Sequence, residues 1–279
     1  GDPCGGGGGD DVTIAYSVSG IDRLSLDQPN FTIDVYAQMP AGWRLDAVAG
    51  NSDQQKTVAC STSFYQDGYG GPTSLDVNPA FFPTVPDLEW DSRVTVGALD
   101  SSGNPFPENA LNQVGIDWND FEAGGDLSVG NGVWFVLPTD AQGVSQSFIA
   151  DDCSEQNGVL IARLTAMNYD AEVLVEALFQ GRDGGDNVWQ AMTGGYITYS
   201  GELDCNLNGI PDACDIANGT SEDSNGNGIP DECDSTCSGD VDGDGDSDVD
   251  DILAIINGFG GQYNVDDLLN TIADFGCTG

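Results

Sequence analysis

Phe31-Thr32-Ile33-Asp34-Val35-Tyr36-Ala37-Gln38-Met39 alternates apolar and polar side chains without a break. A period of two puts Phe31, Ile33, Val35, Ala37 and Met39 on one face of an extended strand. The same period runs through Val12, Ile14, Tyr16 and Val18 upstream. Downstream, Trp43–Val48, Val58–Phe64, Arg93–Leu99, Val133–Leu137, Val159–Thr165, Glu172–Phe179 and Tyr196–Tyr199 read as further strands, rich in β-branched and aromatic residues. Ala171–Gln180 is long enough for a helix, but Val173, Val175, Ala177 and Phe179 alternate, which selects a strand. Clusters of Gly, Pro, Asn and Asp at 68–72, 78–86, 101–107, 124–126 and 183–186 punctuate these runs. Together they predict a mainly β fold, with a jelly-roll-like β-sandwich over residues 11–201.

The chain has 279 residues, enough to bury a core without external support. Six Lys and Arg stand against 47 Asp and Glu, with no His, for a formal charge of −41. That balance excludes binding to the nucleic-acid backbone, which needs a basic footprint, and argues against docking on anionic membranes. No apolar run is long enough to span a bilayer. Without histidine there is no Ser-His-Asp or Cys-His nucleophile and no His-ligated metal. The acidity outside the motifs below also fits adaptation to high salt.

Eight cysteines in an Asp-rich chain point to an oxidising, extracellular or cell-surface setting, and a start at Gly1 is what a mature chain has after signal removal. Cys60 and Cys153, which lack a histidine to activate them, are expected to bridge each other. Residues 1–10 form a leader with Cys4 and five glycines, Gly5 to Gly9. Cys4, Cys60 and Cys153 precede residue 201 and five cysteines follow it, so full oxidation needs a bridge between the regions or between chains.

At Glu202 the composition changes: residues 201–279 hold 19 acids and no Lys or Arg. Asp204-Cys205-Asn206-Leu207-Asn208-Gly209-Ile210-Pro211-Asp212-Ala213-Cys214-Asp215 recurs nineteen residues later as Asp223-Ser224-Asn225-Gly226-Asn227-Gly228-Ile229-Pro230-Asp231-Glu232-Cys233-Asp234. A third twelve-residue stretch runs from Asp240 to Asp251. All three place oxygen donors at positions 1, 3, 5, 9 and 12 and Gly at 6, the spacing of a loop wrapped round a hard cation, with the position-7 carbonyl as a further ligand. The expected ligands of the first loop are Asp204, Asn206, Asn208, the Ile210 carbonyl, Asp212 and Asp215. Those of the second are Asp223, Asn225, Asn227, the Ile229 carbonyl, Asp231 and Asp234. Those of the third are Asp240, Asp242, Asp244, the Asp246 carbonyl, Asp248 and Asp251. The cofactor is therefore Ca2+ at about three sites. Three calcium ions leave a formal charge of about −35, so self-repulsion stays large.

The first two loops, 202–236, resemble thrombospondin type 3 repeats, in which calcium and disulfides replace a hydrophobic core. Residues 237–279 resemble a dockerin module. Val249-Asp250-Asp251-Ile252-Leu253-Ala254-Ile255-Ile256-Asn257-Gly258-Phe259-Gly260 matches Val265-Asp266-Asp267-Leu268-Leu269-Asn270-Thr271-Ile272-Ala273-Asp274-Phe275-Gly276 at a spacing of sixteen. Two helices are expected, one with Ile252, Ile255, Ile256 and Phe259 on its apolar face, the other with Leu268, Leu269, Ile272 and Phe275, clasped by a Cys237–Cys277 bridge. The second loop of the module lacks donors at positions 1, 3 and 5, so one calcium site is expected there, and cohesin binding is in doubt.

Candidates for catalysis in the β-domain are few. The only lysine, Lys56, is expected at the surface. Asp117, Asp120, Glu122 and Asp126 surround Trp118 and Phe121, as a carboxylate-only glycoside hydrolase would need. A turn of capping residues or a further calcium site is the reading preferred for these acids, because 47 acids make chance clusters common. Trp43, Trp90, Trp118, Trp134 and Trp189 are core residues or a carbohydrate-stacking platform.

The reading adopted is a non-catalytic, calcium-binding extracellular structural or cell-surface protein, such as a self-assembling filament or surface-layer subunit. Its partner would be another copy, met by donation of strand Val12–Val18 or by a disulfide through the leader. The alternative is a carbohydrate-binding module anchored by a dockerin-like tail, with a glycan or protein partner.

Overall fold

In a computed structural model the described residues are 11–50, 56–199, 206, 210–224, 226, 229–233, 241, 247, 249–259, 263–273 and 275, with side chains left aside at 266, 267, 270 and 273. The chain divides into two compact units, Gly1–Pro211 and Asp212–Gly279. The leader and the Cys237–Cys277 pair lie outside the described residues.

The first unit is mainly β, built from two antiparallel sheets in a sandwich-like arrangement. One sheet has strands β1 (Thr13–Ile21), β2 (Asn30–Gln38), β5 (Arg93–Val94), β9 (Gln146–Ile149) and β10 (Glu155–Met167), with β2 and β10 at its centre. The other has β3 (Arg44–Gly50), β4 (Lys56–Cys60), β6 (Asn112–Val114), β7 (Leu127–Val129), β8 (Gly132–Phe135), β11 (Glu172–Arg182) and β12 (Val188–Thr198). β12 runs the whole of one edge of β11. β3 and β4 share its other edge, β3 beside Leu178–Arg182 and β4 beside Val173–Glu176.

The core follows the alternation. Phe31, Ile33, Val35 and Ala37 are all fully buried, and pack with Val48, Trp134, Val173, Phe179 and Trp189 from the other sheet. Ala171–Gln180 is indeed extended, inside β11. β1 pairs with β2 of its own chain from Thr13 to Ile21, so the strand expected to be donated is used internally.

Two expected strands are cut short for visible reasons. Arg93–Leu99 keeps its ladder only over Arg93–Val94. At Gly97 φ is +78° and an added Cβ would lie 2.0 Å from the Gln142 carbonyl oxygen, so the chain turns away where only glycine fits. Val58–Phe64 ends as a strand at Cys60 because the chain crosses between sheets. Ser61 N–H still donates to Glu172 O, but Phe64 bridges Ala166 and Tyr65 N–H donates to Thr165 O in the opposite sheet.

In the second unit the described helices are α2 (Asp212–Asn218), α3 (Val249–Gly258) and α4 (Val265–Ala273); a single turn, α1 (Asn119–Glu122), belongs to the first unit. On α3, Ile255 is fully buried and Ile252 half-buried, while Ile256 and, just past the helix end, Phe259 are exposed. On α4, Leu268 is half-buried, and Leu269 and Ile272 are exposed. The expected apolar faces are therefore only partly covered.

Candidate metal centre

Of the expected ligands, Asn206, Ile210, Asp212, Asp215, Asp223, Ile229, Asp231 and Asp251 are described. Asp204, Asn208, Asn225, Asn227, Asp234, Asp240, Asp242, Asp244, Asp246 and Asp248 lie outside the described residues. Among the described residues no three acidic or cysteine side chains converge closely enough to hold a metal ion.

In the first loop, positions 9 and 12 fall on α2. Asp212 and Asp215 are one helical turn apart, at 3 % and 0 % exposure, and Cys214 beside them is buried in a disulfide. Both carboxylates stand in the first turn, where the helix dipole favours negative charge. In the second loop, the position-1 carboxylate folds inward: Gly226 N–H donates to Asp223 Oδ1 at 2.7 Å, and Gly226 holds φ +75°. The position-9 carboxylate receives Ser224, whose N–H donates to Asp231 Oδ1 at 2.7 Å and whose hydroxyl donates to Asp231 Oδ2 at 2.5 Å. The Ser224 hydroxyl and N–H bonds hold the Asp231 carboxyl below its ordinary value.

In the third loop, Asp251 at position 12 is fully buried on α3 and its Oδ1 accepts from Val241 N–H, position 2, at 2.6 Å. Ser247, at position 8, is also fully buried, and its hydroxyl donates to Thr271 O on α4 at 3.4 Å. Position 12 is thus a buried carboxylate in both loops where it is described, in a stretch without a single Lys or Arg.

Ser224 was not among the expected loop residues. It stands where the first copy has Cys205, and that substitution was the available signal, since a hydroxyl can hold the carboxylate a thiol would hold poorly.

The second candidate cluster is a concavity of about 530 Å³ lined by Asp117, Asp120, Ala123, Gly125, Asp126 and Ser128. Asp117, Asp120 and Asp126 are all exposed. Asp117 Oδ1 accepts from Asn119 N–H at 3.1 Å and from its side-chain amide at 2.6 Å, and Asp126 Oδ1 accepts from Cys60 N–H at 3.1 Å. Glu122 is also exposed and does not line the concavity; desolvation, then the charge of Asp76, raises its carboxyl. The acid with a raised value and the carboxylates of the concavity are not brought together.

The tryptophans pack inward. Trp134 and Trp189 are each 1 % exposed; Trp43 tilts against Trp189 at 6.0 Å and Trp118 against Trp134 at 6.4 Å. Arg23 and Arg163 each lie over the Trp90 ring, 5.6 and 5.7 Å from its centre. They do not form an exposed stacking row.

Two expectations are corrected here. Lys56 is not at the surface: it is fully buried, and desolvation lowers its amine to about 7. Its strand lies between β11 and β7, so the position is central rather than an edge. Cys60 and Cys153 do not bridge. Cys60 is a free thiol at the end of β4, its Sγ 3.7 Å from Ser63 O, whereas Cys153 is disulfide-bonded in the turn between β9 and β10 of the opposite sheet.

All six basic side chains are buried or half-buried. Arg163 donates from Nε and Nη2 to the two oxygens of Asp34, each at 2.7 Å, and Arg44 Nε donates to Asp46 Oδ1 at 2.6 Å. Among the described residues no helix is long and apolar enough to cross a membrane.

Comparison with protein-family models, with curated proteins and with solved structures found no match for this chain.

Proposed function

We propose that the chain is a non-catalytic, calcium-binding structural protein of the extracellular space or cell surface. The observation that carries this reading is the Asp251 carboxylate, fully buried at position 12 and turned back on position 2 of its own loop. Residues 201–279 contain 19 acids and no Lys or Arg, so the charge of this stretch favours bound cations. A divalent cation wrapped by oxygen donors at the loop spacing would answer that charge, and the matching burial of Asp215 at position 12 of the first loop supports the same use.

Asp215 and Asp251 would each close a loop whose other donors come from positions 1, 3, 5, 7 and 9. The bound ion would supply positive charge and cross-link, holding short helices that bury little apolar surface. The β-sandwich then serves as the displayed body, and the exposed positions of Asp117, Asp120 and Glu122 support a role without catalysis.

Thermal unfolding of the full chain in excess calcium and then in chelator tests this. A melting transition of the second unit that rises with calcium concentration supports the reading. Identical melting in calcium and in chelator would overturn it.

A further inference from the structure

We infer that the β-sandwich carries a pocket for a small, flat, uncharged aromatic molecule with one hydrogen-bond donor, a phenol in chemical class. This goes beyond calcium binding and does not depend on it. Asp34 and Tyr36 fall between the core residues Ile33, Val35 and Ala37 of β2, so they face away from the other sheet. Tyr36 pairs across the sheet with Leu160 of β10. Leu99 and Pro105 from one connection and Val144 from another close over that pair, leaving a cavity of about 160 Å³. Its walls are mainly apolar, and the exposed Gln146 and Ser147 stand at its rim. The covering segment is pinned. Gly97 N–H donates to Leu160 O at 2.8 Å, Leu99 N–H to Asn104 O at 2.7 Å, and Arg93 Nε to Leu99 O at 2.8 Å. The cavity is therefore preformed, and little ordering opposes binding.

Size and shape select a single flat ring. An apolar cavity of about 150 Å³ takes up benzene, so this one has room for one six-membered ring with a small substituent. The Tyr36 ring stacks on Phe148, with 3.8 Å between centres and 5° between planes. Phe148 is buried and does not line the cavity, so Tyr36 meets the cavity with the surface that Phe148 leaves open. A flat ring laid there extends the stack, whereas a puckered ring loses part of that contact.

Charge and hydrogen bonding select the rest. The chain carries −41, which holds anions off. The charge of Asp34 is already matched by Arg163, and the charge of Arg93, itself 2 % exposed, also reaches it, so a cation finds no free counter-charge. What remains at the lining is acceptor capacity. Asp34 takes one N–H from Arg163 on each oxygen, fewer than the positions a carboxylate offers. Gln146 Nε2 donates to Val144 O and Ser145 O, both at 3.1 Å, which leaves its Oε1 to accept. The Ser147 hydroxyl donates to Glu155 Oε1 at 2.6 Å and the Tyr36 hydroxyl bonds Ser17. The ligand is therefore the donor.

The test is titration of the full chain at neutral pH with phenol, cyclohexanol and benzoate, read by methyl NMR. Phenol is expected to bind at roughly 0.1 to 1 mM and to shift the methyl signals of Leu99, Val144 and Leu160. Cyclohexanol, of the same size but puckered, is expected to bind about threefold to tenfold more weakly, and benzoate not at all. Val144→Trp fills the cavity and is expected to abolish phenol binding. Tyr36→Leu keeps an apolar wall without the ring, and is expected to bring phenol down to the level of cyclohexanol. Absence of phenol binding at about 10 mM, shifts confined to other methyl groups, cyclohexanol or benzoate bound as tightly as phenol, or a phenol preference that survives Tyr36→Leu would each overturn the proposal. So would undiminished phenol binding by Val144→Trp; should that variant fail to fold by circular dichroism, the probes on wild type and Tyr36→Leu decide. Calcium-dependent melting is measured separately, so failure of one reading leaves the other standing.

Discussion

The Nζ of Lys56 lies 4.0 Å from the centre of the Trp134 ring, and it makes no hydrogen bond. The ring face attracts the ammonium, but the surroundings remove its water, and the second effect wins because the amine falls to about 7. Between pH about 7 and about 10.5 the unfolded lysine is charged and the folded one neutral, so the unfolded state binds more protons and stability rises with pH. Lys56→Met should flatten that rise and stabilise the β-sandwich at neutral and lower pH by up to about 4 kcal/mol. Denaturant unfolding from pH 6 to 10 checks it; a variant less stable than wild type at pH 6 contradicts the account.

Asp251→Asn removes the charge at position 12 while keeping an oxygen for Val241 N–H. It should leave chelator-treated protein as stable as before, or more so, because a buried charge is gone. Its calcium-dependent rise in melting temperature should shrink. Calorimetry in both conditions reads the two effects, and an undiminished calcium response argues against a ligand role for Asp251.

The Asp34–Arg163 pair joins β2 and β10 at the centre of its sheet. Burial raises the Asp34 carboxyl, but the charge of Arg163 and its hydrogen bonds outweigh burial and the net shift is downward. The pair's contribution is therefore present at neutral pH and lost as pH falls below about 4. Asp34→Ala strands the guanidinium and should cost about 3–5 kcal/mol by chemical denaturation at pH 7. A loss below about 1 kcal/mol would show the pair to be solvated.

Cys60 should be alkylated in the native, unreduced chain, and Cys153, Cys214 and Cys233 should not. Peptide mass spectrometry distinguishes them. Cys60→Ser should leave melting within about 1 kcal/mol of wild type. With Cys60 free, seven cysteines remain, so at least one further thiol is unpaired or joined to another chain.

The strands were legible wherever one face is buried, because alternation then follows burial, as in Phe31–Ala37 and Val173–Phe179. Both apolar helices were legible from their sixteen-residue repeat. Lys56 was not, because its class predicts a surface position and only the two neighbouring strands put it inside. The short ladder at Arg93 depends on Gly97 meeting Gln142, a contact between residues 45 apart. The Cys60–Cys153 expectation failed because it rested on the absence of an activating histidine, and that does not say which sheet holds each cysteine.

The seclusion of every basic side chain has a consequence for how this molecule meets proteolysis. Trypsin-like enzymes need a Lys or Arg presented on an accessible chain, and in the folded protein all six are buried or half-buried, with Arg182 keeping 30 % of its side chain exposed. After Arg182 there is no such residue at all, so even complete digestion of the unfolded chain leaves residues 183–279 as one peptide carrying all three loops. Enzymes that cleave beside acidic residues face the opposite situation, with abundant targets in the same stretch. Resistance to the first group is the durability this composition gives; calcium bound in the proposed loops would be expected to slow cleavage by the second.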